Sequence, residues 1–127
     1  MSKRNQVVFR VLAAVTTILA VVLLSHFAEA HAILKQSSPA TNSTVAGPDV
    51  PITLQFNVRI DALRSKLQLL NPDATTTDLL IDQQPSPDTL VTKAKGLKAG
   101  AYRIRWQVLA PDGHITRGEI PFTVTGS

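Results

Sequence analysis

Residues 101–124, AYRIRWQVLAPDGHITRGEIPFTV, contain two stretches in which apolar and polar residues alternate on either side of a short turn. The apolar positions are Tyr102, Ile104, Trp106 and Val108 in the first stretch and Ile120, Phe122 and Val124 in the second. A period of two places one set of side chains in a core and the other in water. Asp-Gly after a proline is a favoured hairpin turn. This segment therefore predicts two β-strands joined by a turn, with Trp106 in the core.

The same alternation continues upstream. Ile52, Leu54, Phe56 and Val58 alternate with polar residues. The shorter strand candidates are Ala32 to Gln36, Lys66 to Leu70, Leu79 to Ile81 and Leu90 to Lys93. Turn-forming residues separate these segments, although residues 63–70 also have some helical propensity. About seven short strands in this length predict an all-β, antiparallel sandwich or a small barrel, and two-faced strands favour the sandwich.

The first thirty residues resemble a secretory signal peptide. Lys3, Arg4 and Arg10 precede an uncharged, mostly apolar run, Val11 to Leu24. This run of 14 residues is shorter than the roughly 20 that a membrane-spanning helix needs. Ala28-Glu29-Ala30 then provides the small residues that signal peptidase requires. Cleavage after Ala30 is expected to leave a mature domain, residues 31–127, that begins at His31, and the alternative is an uncleaved membrane anchor.

The composition of the mature chain excludes several classes of function. Its 97 residues carry ten Lys or Arg against eight Asp or Glu, with no cationic run, so there is no electrostatic reason to expect a nucleic-acid partner. The chain contains no cysteine, which excludes disulfides, thiolate metal ligands and lipid attachment at the cleavage site. We therefore expect one exported domain, without a membrane span, that is held together by its hydrophobic core.

Two histidines, His31 and His114, remain after export, and a lone histidine of this kind is usually an ordinary surface residue. As the first mature residue, His31 would offer both its α-amine and its Nδ1, which together close a six-membered ring on a metal. The α-amine has a low enough pKa for a metal to displace its proton near neutral pH. Asp112 and His114 add a carboxylate and an imidazole, and Gly113 lets both side chains aim at one point. Asp112 on its own is better explained as a turn residue.

Three nitrogens and one oxygen form the donor set that Cu(II) prefers in tetragonal geometry. Zn(II) accepts the same ligand types but prefers a tetrahedron. Met1 is the only methionine in the chain and would be removed with the signal. The mature chain then lacks the soft sulfur ligands that select Cu(I). These residues predict one Cu(II) ion per chain at His31, Asp112 and His114.

The mature sequence resembles the copper resistance protein CopC family of periplasmic copper-binding proteins along nearly its whole length. The matching motifs are His31-Ala32-x-Leu34, Ser38-Pro39-Ala40, Pro51-x-x-Leu54-x-Phe56, Leu97-x-x-Gly100-x-Tyr102-x-x-x-Trp106-x-Val108, Asp112-Gly113-His114, Gly118 and Phe122-x-Val124. The resemblance implies a Greek-key β-sandwich of the immunoglobulin-like or cupredoxin-like kind. It also implies a Cu(II) site formed by the amine and imidazole of His31 with Asp112 and His114.

The resemblance further implies a periplasmic role in copper homeostasis or resistance and an inner-membrane, CopD-like copper transporter as partner. Some members of the family carry a Met-rich loop for Cu(I), whereas the mature part of this chain contains no methionine. We expect a monomeric carrier or buffer of Cu(II) rather than an enzyme. Two alternatives stay open: a mono-oxygenase that holds copper in a histidine brace, and a metal-free β-sandwich used for adhesion or assembly.

Overall fold

The computed structural model describes residues 2–25 and 31–126, which belong to two units that divide after residue 30. In the first unit, a single helix, α1 (Lys3–Ser25), includes the apolar run Val11 to Leu24. No helix in the described part of the chain is both long and apolar enough to cross a membrane. The predicted cleavage motif, Ala28-Glu29-Ala30, lies outside the described residues, so export and cleavage remain predictions.

The second unit consists of strands in two sheets. Its described strands are β1 (Leu34–Ser38), β2 (Ser43–Ala46), β3 (Val50–Phe56), β4 (Lys66–Leu70), β5 (Thr76–Leu79), β6 (Thr89–Ala94), β7 (Gly100–Leu109) and β8 (Ile115–Thr125). One sheet has the order β1-β3-β6 and the other has the order β2-β8-β7-β4-β5. Neighbouring strands are antiparallel except at the edge, where β2 pairs with β8 in parallel. The predicted all-β sandwich is confirmed.

One hydrophobic core fills the space between the sheets. Burial alternates with a period of two along β3 and β7, so each strand sends every second side chain inward. Leu54 and Phe56 from the first sheet and Ile104 from the second are completely buried. Trp106 and Phe122, which the alternation assigned to the core, are buried there. The strands of one sheet therefore complete the hydrophobic environment of the other.

The structure corrects several strand assignments. It has eight described strands rather than about seven, because β2 is a four-residue edge strand of small and polar residues, too short for a period to be visible. The first strand begins at Leu34 instead of Ala32, and β5 ends at Leu79, where a strand was expected to begin. Helical propensity near residue 63 appears only as a single 3-10 turn, Ala62–Arg64, before β4.

A close contact between Trp106 and Gly118 fixes the hairpin of β7 and β8. The two residues face each other across these strands, and the indole lies directly over the glycine. A Cβ on Gly118 would be 2.5 Å from Cε2 and 2.8 Å from Nε1 of Trp106. The same indole packs edge-on against Phe56, with 5.3 Å between ring centroids. Trp106 therefore connects the two sheets while it packs against a position where only glycine leaves enough room.

Candidate metal centre

The loop between β7 and β8 is a tight turn, as its sequence predicts. The N–H of Gly113 donates to the carbonyl of Ala110 at 3.0 Å, and the N–H of Ala110 donates to the carbonyl of His114 at 3.1 Å. Pro111 takes the second position of this turn, which suits its fixed φ angle. Gly113 has a φ of +82°, in the left-handed region that favours glycine. The turn presents Asp112 and His114 on the same side.

Asp112 acts as a turn residue and also faces both histidines. Its Oδ1 accepts a hydrogen bond from the backbone N–H of His114 at 2.9 Å. Its Oδ2 is 2.8 Å from Nδ1 of His114 and 3.3 Å from Nδ1 of His31. The sequence interpretation treated the turn role and the ligand role as alternatives. In the structure each role uses a different oxygen, so the two roles are compatible.

The pKa of Asp112 lies below its usual value. The main cause is the hydrogen bond from the backbone N–H of His114, and desolvation of the carboxyl opposes it. The side-chain hydrogen bond and the charge of His114, followed by the charge of His31, also lower this pKa. The side chain is therefore a carboxylate at neutral pH, which is the form that binds a cation.

His31 reaches the hairpin from the other sheet. It lies just before β1, and the next residue, Ala32, is buried in the core. The ring centroids of His31 and His114 are 4.8 Å apart, with an angle of 67° between the ring planes. The structure brings His31, Asp112 and His114 together at one end of the sandwich.

The spacing of these side chains fits a single metal ion. One potential ligand atom from each of the three residues lies within 4.8 Å of the other two, and among the described residues they form the only such cluster of His, Cys, Asp or Glu. Two ligands at right angles, each about 2.0 Å from a metal, are roughly 2.8 Å apart. The 3.3 Å between Oδ2 of Asp112 and Nδ1 of His31 is within about half an ångström of this value.

The cluster is accessible to solvent. The imidazoles of His31 and His114 keep 65% and 67% of their side-chain surface exposed, whereas Asp112 keeps 19%. The carboxylate therefore forms the floor of the cluster and the two rings form its sides. When Nδ1 of His114 carries the proton, it donates to Asp112 and leaves Nε2 as a free metal ligand. An ion can enter from water without any movement of the core.

A model of the CopC domain matches residues 34–125 of the chain. The chain belongs to the CopC family. Copper resistance protein C of Xanthomonas campestris pv. juglandis is 32% identical over 124 residues, which cover 91% of this chain and 97% of that relative. The family resemblance found in the sequence motifs is thus confirmed.

Two solved CopC-family structures are similar to this one. CopC from Methylosinus trichosporium OB3b has a TM-score of 0.70 and 28% identity, covering 76% of this chain and 95% of the other. PcoC, described as a methionine-rich copper resistance protein from Escherichia coli, has a TM-score of 0.64 and 29% identity, covering 75% of this chain and 99% of the other. Unlike a methionine-rich protein, this CopC-family chain has a single methionine, Met1.

Proposed function

We propose that the mature chain binds one Cu(II) ion and carries or buffers it in copper homeostasis or resistance. The observation behind this proposal is the position of Asp112 Oδ2, which is close to Nδ1 of both His31 and His114. Membership of the CopC family supports a copper-handling role, since the relative from Xanthomonas campestris is named for copper resistance. The proposed ligands are the α-amine and imidazole of His31, the carboxylate of Asp112 and the imidazole of His114.

The donor set favours Cu(II) over the other candidate metals. Three nitrogens and one carboxylate oxygen suit the tetragonal geometry of Cu(II), whereas Zn(II) would need the same groups in a tetrahedron. The mature chain contains neither cysteine nor methionine, so a Cu(I) site built on sulfur has no ligands here. We therefore assign a single site, for the oxidised ion only.

The proposed setting follows from the signal-like segment and from the family. Residues 1–30 are proposed to direct export to the periplasm and to be removed after Ala30, which frees the α-amine of His31. The mature domain, residues 31–127, is proposed to act as a monomer. A CopD-like copper transporter of the inner membrane is the proposed partner, on the strength of family membership alone.

The mature chain is proposed to be a carrier rather than an enzyme. A mono-oxygenase with a histidine brace needs an open position on copper where oxygen can bind. With the proposed ligands, the Asp112 carboxylate would take that position, and the 97-residue domain is nearly all scaffold. If the chain were such an enzyme, the copper-loaded protein would cleave a polysaccharide oxidatively in the presence of a reductant.

The intact mass of the secreted protein tests processing and stoichiometry together. We expect untagged protein from the periplasm to have the mass of residues 31–127. In native mass spectrometry it should gain one copper and no more when Cu(II) is supplied, because one ligand cluster is present among the described residues. A mass that retains residues before His31, or a mature chain that takes up no copper, would contradict the proposal.

Replacing His114 tests the ligand set. His114→Ala is expected to weaken Cu(II) binding by roughly a hundredfold, the upper end of what loss of an outer-shell partner costs, because a ligand itself is replaced by water while the His31 chelate remains. The fold should be unaffected, because His114 is an exposed loop residue. Affinity is measured by competition with a chromophoric chelator, and folding by urea denaturation. An unchanged affinity would show that His114 is not a ligand.

A further inference from the structure

The segment that carries His31 is held in place by one polar residue outside the metal cluster. Regular pairing of β1 with β3 ends at Leu34 and Phe56. Beyond that point, the backbone N–H of Asn57 donates to the carbonyl of Ile33 at 3.0 Å. The N–H of Ile33 in turn donates to Oδ1 of Asn57 at 2.7 Å. The Asn57 side chain thus adds one more pair of hydrogen bonds after the strand ladder has ended.

This pair of bonds lies only two residues from His31. Residues at a chain terminus are poorly ordered unless something fixes them, and in the mature protein His31 would be the terminal residue. Two anchors fix this segment: the buried methyl group of Ala32 and the hydrogen-bonded pair of Ile33 and Asn57. The Ala32 methyl group fixes where the segment of residues 31–33 lies but not how it is rotated about its own axis, because apolar contacts are non-directional. The hydrogen bonds between Ile33 and Asn57 fix that rotation.

We infer that Asn57 is a positioning residue for the metal centre, which aims the His31 chelate at Asp112 and His114. This inference rests on the proposed Cu(II) function. The α-amine and Nδ1 of His31 bind a metal together wherever the segment points, because both belong to one residue. Their connection to the hairpin ligands depends on the path of residues 31–33. Asn57 therefore controls how many of the four donors reach the same ion.

Removing the Asn57 side chain should weaken Cu(II) binding in a way that differs from loss of a ligand. Asn57→Ala retains the backbone N–H that donates to Ile33 but loses the acceptor for the Ile33 N–H. We expect Cu(II) affinity to fall about tenfold, at the lower end of what loss of an outer hydrogen-bond partner usually costs a metal site. Binding should persist through the His31 chelate. The copper that remains bound should have fewer protein nitrogens and more water around it.

Three variants of the mature protein separate this role from a general structural one. Asn57→Ala removes the acceptor, whereas Asn57→Asp keeps an oxygen at the same place, and its added charge can only favour a cation. Asn71→Ala is the control: Asn71 is a half-buried asparagine whose amide is also hydrogen-bonded, to Thr75 and Thr77. It follows β4, whose last residue pairs with Arg103 near the start of β7, away from the metal end.

Affinity is measured by chelator competition, the ligand set by electron paramagnetic resonance at less than one equivalent of Cu(II), and folding by urea denaturation. We expect Asn57→Ala alone to bind about tenfold more weakly and to show a changed copper spectrum, while Asn57→Asp and Asn71→Ala keep the wild-type spectrum. A lower unfolding midpoint for Asn57→Ala with wild-type affinity and spectrum would overturn the positioning role. A wild-type chain that takes up no copper would overturn the proposed function and this inference together, whereas unchanged binding by Asn57→Ala would overturn this inference alone.

Discussion

A four-residue N-terminal extension of the mature chain, ending just before His31, is expected to weaken Cu(II) binding by on the order of a thousandfold, or about 4 kcal/mol. The extension converts the α-amine of His31 into a peptide N–H, whose nitrogen can bind a metal only after it loses its proton. His31 then binds through its imidazole alone, and the six-membered chelate ring is lost. This loss should exceed that of His114→Ala, which removes one donor without opening a ring.

The length and composition of the extension determine how clearly this experiment can be interpreted. A two-residue extension would make His31 the third residue, where a new terminal amine, the intervening amides and the imidazole bind Cu(II) by themselves. A four-residue Gly-Ser extension avoids that arrangement. The matched control carries the same four residues after Ser127 and should bind like the unmodified mature chain. Equal affinity in both extended proteins would show that the terminal amine is not a ligand.

Gly118→Ala is expected to destabilise the domain by about 2 kcal/mol. The added Cβ would overlap the indole of Trp106, which is buried between the sheets and packs against Phe56. The indole cannot move outward without opening the core, since interiors are close-packed. Alanine also lowers the entropy of the unfolded chain, which offsets roughly 0.4–1 kcal/mol of the steric cost. The stability is measured by urea denaturation of the mature protein, monitored by circular dichroism.

A double-mutant cycle shows whether the Trp106 indole causes the loss of stability in Gly118→Ala. Trp106→Phe replaces the indole with a smaller ring, so adding Gly118→Ala to it should cost less than adding the same change to the wild type. Equal costs in both backgrounds would mean that Gly118 matters for its backbone instead. A wild-type unfolding midpoint for Gly118→Ala alone would contradict the contact itself.

Local sequence was sufficient to predict the central strands and the turn between them. The alternation in β3 and β7 results directly from one face packing on a core and the other meeting water, and that pattern is visible in a single segment. The turn at Pro111-Asp112-Gly113 is equally local, because proline and glycine fix the backbone angles that it needs. Edge strands β2 and β5 gave no such pattern, since each is short and has little buried surface.

The sequence by itself determined which residues can bind a metal, because the chemistry of an imidazole, a carboxylate or an amine belongs to the residue. Only the tertiary structure decided that His31, before the first strand, meets Asp112 and His114 in the last hairpin. That meeting depends on how two sheets stack, which no single segment encodes. The same holds for Asn57, whose role comes from a hydrogen bond to Ile33, a distant residue in the sequence. Local patterns determine strands and turns, whereas packing between sheets determines which side chains share a site.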